Sequence, residues 1–296
     1  MSTIDPNQGI IGSDKTAGDV LGGDPGNPQF SNQILDFNQF LFFQDGQESD
    51  SPVMSATGIP GEYLLTAQDG QEFKVINTDE VNFDPETPIA LNEDDNPNLI
   101  LGGIKDVNVQ GSDADNKIMG NLGNNVIDGG EGDDLLGGGA GDDTLTGGEG
   151  NDELIGGAGN DQLEGGTGDD TFAYPQEVPP GEEEGQEDYS YGDDVIRDFG
   201  QGDDTLILGD FNGDGIFDSN DYVIENTENG ALITFIGTDG SRGSVLLQGV
   251  SAEQLTVAGG ETGQITLSDG SAPSAIEHIP EQLDDDDDDD NFFTIV

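Results

Sequence analysis

From Gly129 to Ala173 the chain repeats a nine-residue unit five times without a gap: GGEGDDLLG, GGAGDDTLT, GGEGNDELI, GGAGNDQLE and GGTGDDTFA. Each copy fits G-G-x-G-x-D-x-(large apolar)-x. A period this short restricts the fold severely, because every unit must meet its neighbours in the same way. The eighth position holds Leu136, Leu145, Leu154, Leu163 and Phe172, in four of the five copies directly after a polar residue and in two of them between polar residues. That alternation suits a very short strand with one apolar side chain turned inward. Stepping back by nines from Leu136 reaches Ile127, Ile118, Val109 and Ile100, with glycines in step at Gly129, Gly120, Gly111 and Gly102. The ladder is therefore expected to begin near Asn98. A glycine-rich linker has no reason to hold apolar residues in phase over so many periods.

This unit is the repeat of the RTX (repeat-in-toxin) family of secreted calcium-binding proteins, which the chain resembles. The resemblance implies that two nonapeptides form one turn of a parallel β-roll, with calcium between a loop and its equivalent one turn on. Calcium is a hard cation that takes six to eight oxygens, carboxylate and carbonyl alike. On that basis Asp134, Asp143, Asp152, Asp161 and Asp170 supply the carboxylates. Glycine lets the backbone take positive φ and approach closely, the role given to Gly130, Gly132, Gly139, Gly141, Gly148, Gly150, Gly157, Gly159, Gly166 and Gly168. Five full copies imply about three well-formed sites, and degenerate neighbours raise the number to roughly five. Upstream the metal position decays to Asn125, Asn116 and Val107.

Charge agrees with a metal-loaded protein. Asp plus Glu number 64 against six Lys plus Arg, a formal charge of −58 on 296 residues. Without counter-ions, self-repulsion opposes a compact state. Nucleic acid and anionic membrane surfaces are poor partners for such a field. The chain has no cysteine, so stapling falls to metal or core. It has no apolar run long enough to span a membrane. Met1–Pro6 shows neither a basic n-region nor an apolar h-region, so no cleavable N-terminal signal is expected.

Downstream, Gly192-Asp193-Asp194-Val195-Ile196-Arg197-Asp198-Phe199 and Gly202-Asp203-Asp204-Thr205-Leu206-Ile207-Leu208-Gly209 resemble the capping segment that follows RTX repeats. Between roll and cap, residues 174–191 read as an acidic linker rich in Pro, Gly and Glu. A second calcium signature is the 12-residue stretch Asp210–Asp221. Asp210, Asn212, Asp214, Asp218 and Asp221 fall on EF-type ligand positions; Gly215 falls on the sharp turn, and Ile216 offers its carbonyl. The loop resembles those of dockerin modules. A strand-like TLIL stands before it where an EF-hand has a helix, and Asp221 is shorter than the usual Glu. Glu228-Asn229-Gly230 predicts a hairpin joining Tyr222–Asn226 to Ala231–Ile236, with a further strand over Ser244–Gln248. In the N-terminal third, Gly61–Asn77 predicts a hairpin around Gln68-Asp69-Gly70, Ile34–Phe43 is an apolar cluster, and Gly18–Gly23 is a lone repeat-like scrap.

The far end carries Asp284–Asp290, seven aspartates in a row, then Asn291-Phe292-Phe293-Thr294-Ile295-Val296. An acidic stretch before a short apolar terminus resembles the uncleaved signal of type I secretion. Catalysis finds no support. His278 is the only histidine, and Ile276-Glu277-His278-Ile279-Pro280 is not an H-E-x-x-H site. RTX enzymes carry a large catalytic domain before the repeats; residues 1–97 are short for one and hold no recognisable nucleophile.

The expected architecture is all-β. A partly irregular N-terminal region (1–97) leads to a parallel β-roll solenoid (98–173). The acidic linker (174–191), a small antiparallel β capping region (192–260) and an acidic tail (261–296) follow. The expected function is calcium binding outside the cell, in a surface layer or matrix, after export by type I machinery. An adhesion module built on residues 1–97, or an ion-sequestering or mineral-nucleating protein, are the alternatives.

Overall fold

A computed structural model describes residues 2–3, 10–11 and 15–16, and then 53–268 apart from 67–70, 80, 82–86, 93–96, 176–190, 214, 238–239 and 261. The expectations for Gly18–Gly23, Ile34–Phe43, the linker residues 176–190 and the tail beyond 268 lie outside the described residues.

Successive repeats deliver their strands alternately to two sheets, one of 12 strands and one of 9 among the described residues. Lys117–Met119, Leu135–Ala140, Glu153–Ala158 and Thr171–Tyr174 run parallel in the larger sheet. Asn125–Glu131, Thr144–Glu149 and Gln162–Thr167 run parallel in the other. Each strand therefore pairs two repeats on: Leu136 with Leu154, Ile127 with Leu145, Leu145 with Leu163. The reason is the side-chain alternation. In Thr144-Leu145-Thr146 only Leu145 is buried, so this half of the strand has one large side chain to hide and hides it between the sheets. Ile118, Ile127, Leu136, Leu145, Leu154, Leu163, Phe172, Ile196 and Leu206 belong to one continuous buried apolar core. Burying each such side chain stabilises by about 1.5–3 kcal/mol.

The expected register holds from Val109 onward and slips before it. Ile118 pairs with Leu99, and Ile100 pairs with Met119 instead. Stepping by nines misplaced Ile100 because the loop Gly103–Asp106 holds one residue more than the repeat, leaving Leu99 on the core ladder. Parallel pairing also runs upstream of Asn98: Glu72–Asn77 lies beside Asn98–Gly102, and Ile89–Ala90 beside Val107–Gln110. The hairpin expected over Gly61–Asn77 is present as Glu62–Thr66 against Glu72–Asn77, burying Tyr63, Leu65, Phe73 and Val75.

Beyond the repeats the roll continues across the linker. Asp193–Ile196 pairs parallel with Gln162–Thr167, and Thr205–Leu208 with Thr171–Tyr174. The pairing distance in sequence rises from 18 to 33 and 34 residues there. The antiparallel cap then extends both sheets. Gly263–Leu267 and Leu255–Ala258 close the larger one. Gly240–Gln248, Gly230–Gly237 and Tyr222–Asn226 close the other, the last two joined through Asn229-Gly230 as expected. Packed aromatics fill the capped end. Phe211 stacks on Phe235 with ring centroids 4.8 Å apart, and Tyr174 lies 4.9 Å from Phe235 and 5.4 Å from Tyr191.

Candidate metal centre

The sixth position of each repeat enters the strand with its carboxylate buried; Asp134, Asp143, Asp152, Asp161 and Asp170 are at most 3% exposed. Oδ1 of each accepts the N–H of its equivalent one turn earlier. On one flank Asn116 donates to Asp134 (2.7 Å), Asp134 to Asp152 (2.8 Å) and Asp152 to Asp170 (2.9 Å). On the other, Asn125 donates to Asp143 (2.6 Å) and Asp143 to Asp161 (2.8 Å). The fifth position makes a second, exposed row with the opposite polarity. There the N–H of Asn151 donates back to Asp133 (2.8 Å) and that of Asn160 to Asp142 (2.9 Å). Two neighbouring peptide N–H groups in one loop thus point opposite ways along the roll, and side-chain oxygens take both.

The other oxygen of each buried carboxylate is left over. Oδ2 of Asp134, Asp143, Asp152, Asp161 and Asp170 is buried without a hydrogen-bond partner. Unpaired buried charge of this kind is costly. Without a cation their proton affinity rises: Asp134 and Asp161 are pushed up to about 7, Asp143 to about 9, and Asp152 and Asp170 to about 6. Burial is the main cause, opposed by the backbone N–H each accepts and reinforced by neighbouring aspartates. The charges that act on these groups are those of other aspartates, an arrangement that suits a cation.

Glycine provides the space for one. A Cβ on Gly147 would run into Asp152 Oδ2 and the Gly165 carbonyl oxygen, so the first glycine of a repeat leaves open the place where a carboxylate and a carbonyl converge. Gly148 and Gly150, at φ +123° and +136°, would drive a Cβ into the carbonyls of Gly130 and Gly132 one turn earlier. Among the described residues no three His, Cys, Asp or Glu side chains converge on one point. A bound ion would therefore draw on carboxylates of adjacent turns and on backbone carbonyls, the all-oxygen mixture calcium accepts and softer metals do not prefer.

Two features escaped the sequence reading. The first glycines (Gly129, Gly138, Gly147) stand closer to the carboxylates than the second and fourth, which were expected to matter most. The ladder also runs into the cap: the N–H of Asp161 donates to Asp194 (2.8 Å) and that of Asp170 to Asp204 (3.0 Å). The signal was present, since Gly192-Asp193-Asp194 and Gly202-Asp203-Asp204 repeat the G-x-D of the repeat loops.

The 210–221 loop lies between the strands Thr205–Leu208 and Tyr222–Asn226. Asp210 Oδ1 accepts the N–H of Gly213 (2.8 Å) and its Oδ2 that of Gly215 (2.5 Å). Asp221, fully buried, accepts from Asn212 (3.2 Å) and Asp218 (2.7 Å). Gly215 turns at φ +85°. The structure thus brings Asp210 and Asp221 to the same end of the loop; Ile216 has an exposed side chain, and Asp214 lies outside the described residues.

The model of the RTX calcium-binding nonapeptide repeat, four copies long, matches residues 110–145 and again 137–172. Among solved structures the chain is similar to one described as the solution structure of the AlgE6R3 subunit from the Azotobacter vinelandii mannuronan C5-epimerase. The two share 22% identity over 65% of this chain and 94% of that one, with a TM-score of 0.31. No curated protein matches the chain. Residues 110–172 thus match the RTX calcium-binding nonapeptide repeat and, with a two-repeat register and a buried aspartate ladder, fold as a parallel β-roll.

Proposed function

We propose that this is a secreted, non-enzymatic calcium-binding protein whose roll folds when calcium bridges its turns, acting at a cell surface or in an extracellular matrix. The observation that carries the reading is the row of buried Oδ2 atoms without partners in successive turns. Asp134/Asp152 and Asp152/Asp170 on one flank, and Asp143/Asp161 on the other, frame three bridged positions. The loop carbonyls around Gly130, Gly132 and their equivalents complete each shell. The 210–221 loop is assigned one further ion through Asp210, Asn212, Asp214, Asp218, Asp221 and the Ile216 carbonyl. Its glycine turn and its two buried, adjacent carboxylates support that assignment.

Calorimetric titration of the metal-free chain tests the ligand set. About three to five ions in the roll are expected, with affinities in the weak range of extracellular modules. A chain that binds none, or that binds magnesium equally well, would remove the reading.

Export is the second half of the proposal. Low cytosolic calcium keeps the roll open and threadable, and external calcium closes it. Among the described residues no helix is long and apolar enough to cross a membrane. Deleting Asn291–Val296 is expected to abolish secretion by type I machinery while leaving calcium-dependent folding of the purified chain unchanged. Normal export of the truncated chain would show that the tail is only a solvated acidic segment.

A further inference from the structure

The first turns of the roll are closed differently from the repeats that follow, and two positions change there together. The second residue of the nine is glycine in every complete copy, from Gly130 to Gly166, but upstream it is Ser112 and Asn121. The sixth, aspartate from Asp134 to Asp170, is Asn116 and Asn125. The replacements pair with each other. Asn116 Oδ1 accepts the N–H of Ser112 (2.7 Å), and its Nδ2 donates to the Ser112 hydroxyl (3.0 Å). Asn125 Oδ1 accepts the N–H of Asn121 (2.9 Å), and its Nδ2 donates to Asn121 Oδ1 (3.2 Å).

The network reaches back one turn. Asn121 Nδ2 donates to the Lys105 carbonyl (3.1 Å) and to Thr78 Oγ1 (3.3 Å), while Asn121 Oδ1 also accepts the N–H of Gly123 (2.8 Å). Lys105 falls on the fourth position, glycine in the complete copies, and its ammonium donates to the carbonyls of Thr78 (2.5 Å) and Val81 (3.4 Å). Thr78, Asn116, Asn121 and Asn125 are at most 1% exposed. Each complete repeat leaves one carboxylate oxygen buried and unpartnered, whereas every side-chain oxygen and nitrogen of these three asparagines has a partner. Amide hydrogens and one ammonium here take oxygens that would otherwise call for a cation. Charge divides at the same place. Residues 98–128 hold four aspartates and two lysines, and residues 129–173 hold twelve acidic residues and no basic one. Self-repulsion therefore falls on the second stretch.

We propose that residues 98–128, with the hairpin Glu62–Thr66 and Glu72–Asn77 beside them, form a metal-independent end of the roll that stays folded without calcium and seeds the turns that need it. The proposal rests on the calcium reading of the repeats and fixes where that dependence begins. The seed already presents the matching donors: the N–H groups of Asn116 and Asn125 meet Asp134 (2.7 Å) and Asp143 (2.6 Å), the first buried carboxylate on each flank. Each turn of a repeat fold is stabilised by its neighbours, so a folded end spares the next turn the cost of nucleation.

Hydrogen exchange read by mass spectrometry on the full chain at pH 8 provides the test. In excess chelator, peptides from 98–119 are expected to exchange on the order of a hundredfold more slowly than peptides from 144–167. In millimolar calcium both become protected. The double variant Asn121→Gly, Asn125→Asp restores the residues of a complete repeat. It is expected to lose the chelator-resistant protection and, by calorimetry, to bind one calcium more than the unaltered chain.

Exchange of 98–119 in chelator as fast as that of 144–167 would overturn the seed. So would a double variant that keeps its metal-free protection and its ion count. Where that variant fails to fold in millimolar calcium, the exchange pattern of the unaltered chain decides alone. Slow exchange of both stretches in chelator would overturn the proposal in a distinguishable way, by removing the calcium reading on which it rests.

Discussion

In calcium-free buffer at pH 8 the chain is expected to lose most of its β signal, and millimolar calcium to restore it. Stacked turns place buried carboxylates next to one another along the roll, where the charges acting on them are those of other aspartates. At ten times a site's Kd one ion adds about 1.4 kcal/mol, so three to five ions supply roughly 4–7 kcal/mol. That is comparable with the whole stability of a domain.

The same carboxylates set a pH dependence with an unusual sign. Asp134, Asp143, Asp152, Asp161, Asp170 and Asp194 have folded-state values raised to between about 6 and about 9, chiefly by burial. A raised aspartate holds more protons in the folded metal-free chain than in the unfolded one. Metal-free stability therefore falls as pH rises from the ordinary aspartate range through those raised values, and is greatest below them. Acidifying the metal-free chain from pH 8 to about 5 is expected to recover part of the β signal. With calcium the effect reverses, since protons and metal compete for the same oxygens. General relief of charge repulsion is separated by salt: 1 M sodium chloride shortens screening to about 3 Å at the surface but leaves buried groups little affected. Circular dichroism across pH 5 to 8, with and without calcium and salt, reads all three arms. Equal β content with and without calcium at pH 8 would falsify the coupling of metal to folding.

Asp152→Ala is expected to broaden and weaken the calcium-induced transition of the entire roll, whereas Asp210→Ala removes one ion and leaves that transition nearly intact. Asp152 is the middle rung of its flank. Its Oδ1 accepts the N–H of Asp134 and its own N–H donates to Asp170. Truncation strands a buried N–H, at about 1–3 kcal/mol, and spoils the bridged positions on both sides. Repeat folds pass such damage to neighbours because each turn is stabilised only by the adjacent ones. Asp210 instead accepts two N–H groups within its own loop, from Gly213 and Gly215. Calcium titrations followed by circular dichroism distinguish the two. Equal collapse of the roll in both variants would show that the 210–221 loop belongs to the same cooperative unit.

The roll itself was legible in the amino-acid order. A nine-residue period with one inward apolar side chain fixes which positions are equivalent, and with the two-repeat turn that the family resemblance implies, the Leu136–Leu154 and Leu145–Leu163 contacts follow. The carboxylate positions were legible for the same reason, and so was the Asn229-Gly230 hairpin, whose signal is local. Tertiary structure decided what counting could not. At Leu99 one extra loop residue shifted the ladder, and only pairing with Ile118 reveals which of two adjacent apolar residues faces inward. After Phe172 the period breaks; the G-x-D of Gly192–Asp194 and Gly202–Asp204 marks these stretches as repeat-like, but spacing no longer tells which turns they stack on. That choice belongs to hydrogen bonds and core contacts made across the linker. It is why Asp194 and Asp204 join the ladder in three dimensions, and why Tyr174, which the sequence places in the linker, closes the last repeat strand between Tyr191 and Phe235.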